Sequence, residues 1–169
     1  MDAAPAGAAG SAPGTVAARL AELGITLPGV AKPVAAYVPA VRTGRYVWTS
    51  GQLAFVDGAL PATGKVGHGE GLVPPDDAAH LARLCALNAL AAVHDVVGSL
   101  DQVVRVVKVV GFVASDPSFT GQPAVVNGAS TILGEIFGQA GVHARSAVGV
   151  AVLPLDAPVE VELVVEVAD

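Results

Sequence analysis

The residue types that promise chemistry gather near the C-terminus: an arginine, then a row of carboxylates. In Val159–Val167, four valines and Leu163 alternate with Glu160, Glu162, Val164 and Glu166. A period of two puts the first set on one face of a strand and the acids on the other. Arg145 opens the preceding apolar segment, Arg145–Leu153, which is expected to pair with Val159–Val167 around the Pro154-Leu155-Asp156 turn. An arginine beside a carboxylate at a sheet end can hold an anionic substrate next to a proton-transfer group. A solvated acidic face, common in antiparallel sheets, fits the same pattern.

Other constellations fall away on spacing. Gly58–Lys65 has the outline of a phosphate loop, but five residues separate its glycines instead of four, and Val66 stands where a metal-binding Ser or Thr is needed. A hairpin-type loop is expected there. His80 and His94 share one helix, about 21 Å apart along its axis, and cannot share a metal. His68 and His143 have no ligand partners at metal-binding spacing, so no metal site is expected. Cys85, among Leu81, Leu84 and Ala92, reads as a buried and inert thiol. Asn88 shares that stripe, and a buried amide must be hydrogen-bonded, so it reads as a clamp on neighbouring backbone.

The elements that must position these residues follow from periodicity and punctuation. Met1–Gly14 is mostly Ala, Gly and Pro and is expected to be a disordered tail, with residues 15–169 forming one domain. Thr15 can cap a short helix that Gly24 stops, and Pro28 and Pro33 mark a linker. Tyr37–Val41 and Arg45–Thr49 read as a hairpin, and Val56–Gly71 as an ordered glycine-rich loop. Pro74-Pro75-Asp76-Asp77 opens a helix to about Val97, with acids where the helix dipole favours them and Gly98 as its stop. Val103–Val113 reads as a buried strand with Val103, Arg105, Val107, Val109 and Val113 on one face. A second helix runs from about Pro123 to Phe137, and two final strands complete the order β-β-α-β-α-β-β. This is an α+β pattern: two helices cover one face of about five strands, and the apolar opposite face calls for self-association.

Composition limits the function classes. The 169 residues are 53% hydrophobic and 14% charged, too apolar for a disordered chain. The most apolar stretch, Val103–Ala114, is broken by Arg105 and Lys108, and no stretch reaches the roughly 18 apolar residues of a spanning helix. Nine basic against 15 acidic residues give a net charge of −6, which disfavours nucleic acid as the main partner. One cysteine excludes an internal disulfide and suits a reducing cytoplasm. The N-terminus lacks the basic region and long apolar run of a secretory signal.

Motifs carry more. Tyr37-Val38-Pro39-Ala40-Val41, Val47-Trp48-Thr49-Ser50-Gly51-Gln52, Asn88, Asn127, Ala144-Arg145-Ser146-Ala147-Val148, Leu153-Pro154 and Val159-Glu160-Val161-Glu162 occur in this order. Together they resemble the Rid (YjgF-type, reactive intermediate deaminase) family over roughly Tyr37–Val167. The N-terminal helix and the Ala62–Gly67 loop are similar to its longer subgroup, labelled chorismate-mutase-like or putative endoribonuclease. The resemblance implies a chorismate-mutase-like α+β fold, a homotrimer with clefts between subunits, and hydrolysis of enamines and imines such as 2-aminoacrylate to 2-keto acids and ammonia. No cofactor is implied. Arg145 would grip the substrate carboxylate, helped by the backbone at Ala147 with Ser146 beside it, and Glu160 would orient the attacking water. Tyr37, Ser50 and Asn127 would line the cleft. Taken singly, Ser50 equally suits a turn, Tyr37 core packing and Asn127 a surface position. The chain departs from the family at Ala35-Ala36, where Gly-Pro is usual, and at Ala147, often Cys. A non-catalytic trimer that senses a small carboxylate is the rival reading, and an endoribonuclease the third.

Overall fold

The computed structural model describes residues 14–30 and 36–169. The expected tail, the linker residue Pro33 and Ala35 lie outside the described residues, Gly14 excepted. Thr15 caps helix α1 (Val16–Glu22), its hydroxyl accepting from the amide of Ala18 at 3.1 Å. Strands β1 (Ala40–Thr43) and β2 (Tyr46–Thr49) form the hairpin, turning at Gly44, whose φ is 56°. Tyr37 therefore precedes the first strand instead of opening it. A two-residue strand, β3 (Gln52–Leu53), was not foreseen.

Helix α2 (Pro75–Val97) begins at Pro75 with Asp76 and Asp77 in its first turn. It ends where Gly98 adopts φ 80°, a conformation glycine takes without strain. Strand β4 (Val103–Ala114), helix α3 (Gln122–Phe137), strand β5 (Ala144–Val150) and strand β6 (Val159–Val167) complete the chain. The strand order is β1-β2-β6-β4-β5, with β3 also paired to β6, making a six-stranded sheet.

One expected pairing is corrected. Strand β5 does not pair with β6 and ends at Val150, not Leu153; it runs parallel to β4, Val109 opposite Arg145. A parallel pair needs a crossover, and α3 supplies it. Strand β6 takes the other edge of β4, antiparallel, with Phe112 opposite Glu160. The turn around Pro154–Asp156 therefore carries the chain past the end of β4, not around a hairpin.

Strict alternation along β4 is also corrected. Register shifts between Val103 and Arg105 and between Val106 and Lys108 break the period, so Val106 and Val109, three apart, are both buried. A bulge of this kind moves every later residue to the other face.

Helices α2 and α3 pack together on one face of the sheet, over β6 and over β4 and β5 respectively. Alternate β6 residues Val159, Val161, Leu163, Val165 and Val167 are buried beneath them with Leu90, Val93, Val125, Ile132 and Leu133. The helices meet closely because position 128 has no side chain. A Cβ on Gly128 would run into the carbonyl oxygen of Ala79 on α2, which cannot swing aside as a side chain could. Gly128→Ala is expected to destabilise the fold by about 1–3 kcal/mol in urea titrations, despite alanine's better helix propensity. The opposite sheet face keeps Val41, Trp48 and Val148 about half exposed.

Candidate functional site

Arg145 lies on the helix side of edge strand β5, and α3 holds its guanidinium at three points. Nη1 donates to Asn127 Oδ1 at 2.8 Å and to Ser130 Oγ at 3.1 Å, and Nη2 donates to the carbonyl of Pro123 at 3.2 Å. Positions 123, 127 and 130 follow i, i+4 and i+7, so they form one stripe beside the apolar stripe of Val125, Val126, Ala129 and Leu133. Asn127 was foreseen; Ser130 and the Pro123 carbonyl were not, although this helical spacing marks both. A guanidinium has five N–H donors. Among the described residues, Nε–H and one N–H of Nη2 keep no partner, and such a pair of donors suits a carboxylate.

Glu160 lies on the opposite face of the sheet, because its β6 neighbours Val159 and Val161 are buried under the helices. It stands opposite Leu53 of β3 and Phe112 of β4. Its carboxylate rests against the backbone of Gly51, where a Cβ would occupy the space of Oε1. Burial, reinforced by the charge of Glu162, raises its pKa above the ordinary carboxylate range. Gly51→Ala is therefore expected to leave the fold intact, since only the far end of a flexible side chain must move, while displacing the carboxylate. Thermal unfolding should stay near wild type while any activity that uses Glu160 falls.

Ser50 connects this carboxylate to the segment that carries Tyr37. The Ser50 hydroxyl donates to the carbonyl of Val38 at 2.7 Å, and its amide donates to that of Pro39 at 2.8 Å. The turn role of Ser50 is thus present in the structure, and Tyr37, one residue before Val38, is 55% exposed instead of packed in the core. Asn88 acts as a clamp, its Nδ2 donating to the carbonyls of Leu53 at 2.7 Å and Phe55 at 3.1 Å. It thereby ties α2 to the strand beside Glu160.

The structure therefore brings Arg145 to Asn127, and sets Glu160 against Gly51, next in the chain to Ser50, whose hydroxyl holds the carbonyl of Val38 beside Tyr37. Strand β4 separates Arg145 from Glu160, the residues opposite them are three apart along it, and the two side chains leave opposite faces. One chain does not bring Arg145 to Glu160. Ser146 shares the face of Glu160 and accepts from Lys108 Nζ at 2.9 Å, whereas Ala147 packs against the core. Among the described residues, no group of three or more His, Cys, Asp or Glu is gathered as for a metal ion. Cys85 is fully buried, burial pushes its thiol pKa up, and it is unsuited to nucleophilic work.

The family model described as "YjgF/chorismate mutase-like, putative endoribonuclease" matches residues 17–167. The chain belongs to the YjgF family. A YjgF-family fold is what the mixed sheet with its helices on one face represents. Protein TCP17 of Trypanosoma cruzi is 46% identical over 156 residues, covering 92% of this chain and 96% of that protein. A putative endoribonuclease from Shewanella oneidensis is 31% identical with a TM-score of 0.86, covering 91% of this chain and 100% of that one. Escherichia coli TdcF, solved with bound serine, is 26% identical with a TM-score of 0.58, covering 83% of this chain and 93% of that one.

Proposed function

We propose that this YjgF-family chain hydrolyses small enamine and imine acids such as 2-aminoacrylate to 2-keto acids and ammonia. The observation that carries the reading is Arg145, a guanidinium fixed by α3 with two N–H groups left over. The serine bound to TdcF, itself a small carboxylate-bearing molecule, supports the substrate class.

The enamine first shifts to its imine tautomer. Arg145 binds the carboxylate and draws charge away from the neighbouring imine carbon. Glu160 accepts a proton from water as its oxygen adds to that carbon, then returns it to nitrogen. The carbinolamine expels ammonia and leaves the carbonyl, so one water is consumed per ammonia released. Glu160 suits this work because its raised pKa makes its ionised form a stronger base than an exposed carboxylate. The reaction as written uses neither metal nor organic cofactor.

Since Arg145 and Glu160 leave opposite faces of one sheet, the site is proposed to be completed between copies in a homotrimer. The exposed ladder of Val41 and Trp48 on the Glu160 face supports that assembly. Tyr37, Ser50, Asn127, Ser146 and Ala147 are assigned to the cleft. The cytoplasm is the proposed compartment, on the lone buried thiol of Cys85; among the described residues no helix is long and apolar enough to cross a membrane. The net charge of −6 disfavours carrying over an endoribonuclease activity.

The test is to generate 2-iminobutanoate in the assay and follow its decay with and without the protein. Acceleration is expected. Decay at the uncatalysed rate would instead support the reading as a non-catalytic carboxylate-binding protein.

A further inference from the structure

The cradle around Arg145 does not end at Ser130. Ser130 Oγ also lies 3.0 Å from Nε2 of His143, and Nδ1 of the same ring lies 2.6 Å from the carbonyl of Gly141. A carbonyl oxygen only accepts, so Nδ1 carries a ring proton, and in the Nδ1–H tautomer Nε2 offers a lone pair. The Ser130 O–H then donates to Nε2, and the lone pairs of its oxygen turn to the Nη1–H of Arg145. All three hydrogen bonds are thereby assigned a single direction. The far end is firmly placed, because Gly141 sits so tightly on α3 that a Cβ there would strike the carbonyl of Leu133.

We propose that His143 and Ser130 are positioning residues that settle which edge of the Arg145 guanidinium meets the substrate carboxylate. A free serine hydroxyl rotates, and one that turned its proton toward Nη1 would repel the guanidinium. His143 holds that proton away. Nη1 is then committed to α3, and Nε–H with one Nη2–H stays available. This inference rests on Arg145 as the carboxylate grip, and its test separates the two.

The test combines histidine tautomer assignment by long-range proton–nitrogen NMR on the full chain with calorimetric binding of 2-oxobutanoate. His143 is expected as the Nδ1–H tautomer. Ser130→Ala and His143→Ala are each expected to weaken 2-oxobutanoate binding about 3- to 10-fold, the loss of one hydrogen bond's support. The double variant should bind no more weakly than Ser130→Ala, since both act through one contact. His143→Gln, which can place an amide oxygen near the position of Nε2, should bind like wild type. An Nε2–H tautomer in the wild-type protein overturns the relay, whatever the variants do. So does wild-type affinity in His143→Ala while Arg145→Ala still weakens binding; wild-type affinity in Arg145→Ala overturns the grip and the relay together.

Discussion

Glu160→Gln is expected to lower kcat for 2-iminobutanoate hydrolysis by about 10²–10⁴-fold, the range for loss of a positioned general base. Glutamine keeps the size and much of the hydrogen bonding but cannot take a proton from water. Binding of 2-oxobutanoate should survive, because Glu160 does not hold the carboxylate. Stability should move the other way. Burial and Glu162 raise the Glu160 pKa in the folded state, so its contribution is fully present below the unfolded pKa and is lost as pH rises through the folded value. Above the folded value the ionised carboxylate opposes folding. The variant should therefore melt above wild type once pH exceeds the folded value, and the gain should vanish on acidification below the unfolded one. Glu162→Gln supplies the control: it should leave the neutral-pH rate nearly unchanged but remove a like charge, shifting the acid limb of the rate profile to lower pH. Equal losses of rate in the two variants would mean the acidic face acts as a general field.

Arg145→Ala carries the second large effect. A charge-assisted carboxylate contact contributes about 1.5–3 kcal/mol, so kcat/KM should fall about 10- to 150-fold. The loss should also appear as weaker 2-oxobutanoate binding. The fold is expected to persist, because Asn127 is exposed and Ser130 only half-buried, leaving both open to water once the guanidinium is gone. Unchanged affinity in a folded variant would show that the carboxylate binds elsewhere.

Much of this was legible where local chemistry decides the structure. Thr15 caps α1, Gly98 stops α2, and Asn88 clamps backbone, each for a reason visible in the residue type. The partners of β5 and β6 were not legible, since a short turn between two apolar segments looks alike whether they pair or part. What decides is that β5 follows a crossover helix and must lie parallel to β4, leaving the other edge of β4 for β6. The bulge in β4 was equally hidden: a run of valines carries no mark of which residue is extra. Motif order singles out Arg145 and Glu160 as candidates, but their departure from opposite faces depends on the true pairing. Ser130 escaped because it is a small polar residue beside the apolar stripe of α3; only its i+3 spacing from Asn127 marks it.

The central claim, a catalytic site that joins Arg145 of one copy to Glu160 of another, is tested most directly by mixing two impaired variants. Arg145→Ala and Glu160→Gln chains would be unfolded together, refolded at equal concentrations, and assayed for 2-iminobutanoate hydrolysis against each variant refolded alone. In a cyclic trimer assembled at random, about one site in four receives an intact arginine from one copy and an intact glutamate from its neighbour. The mixture is expected to recover about that share of wild-type activity, well above either parent. Activity no greater than the average of the two parents, in a sample shown to contain mixed trimers, would contradict the shared site.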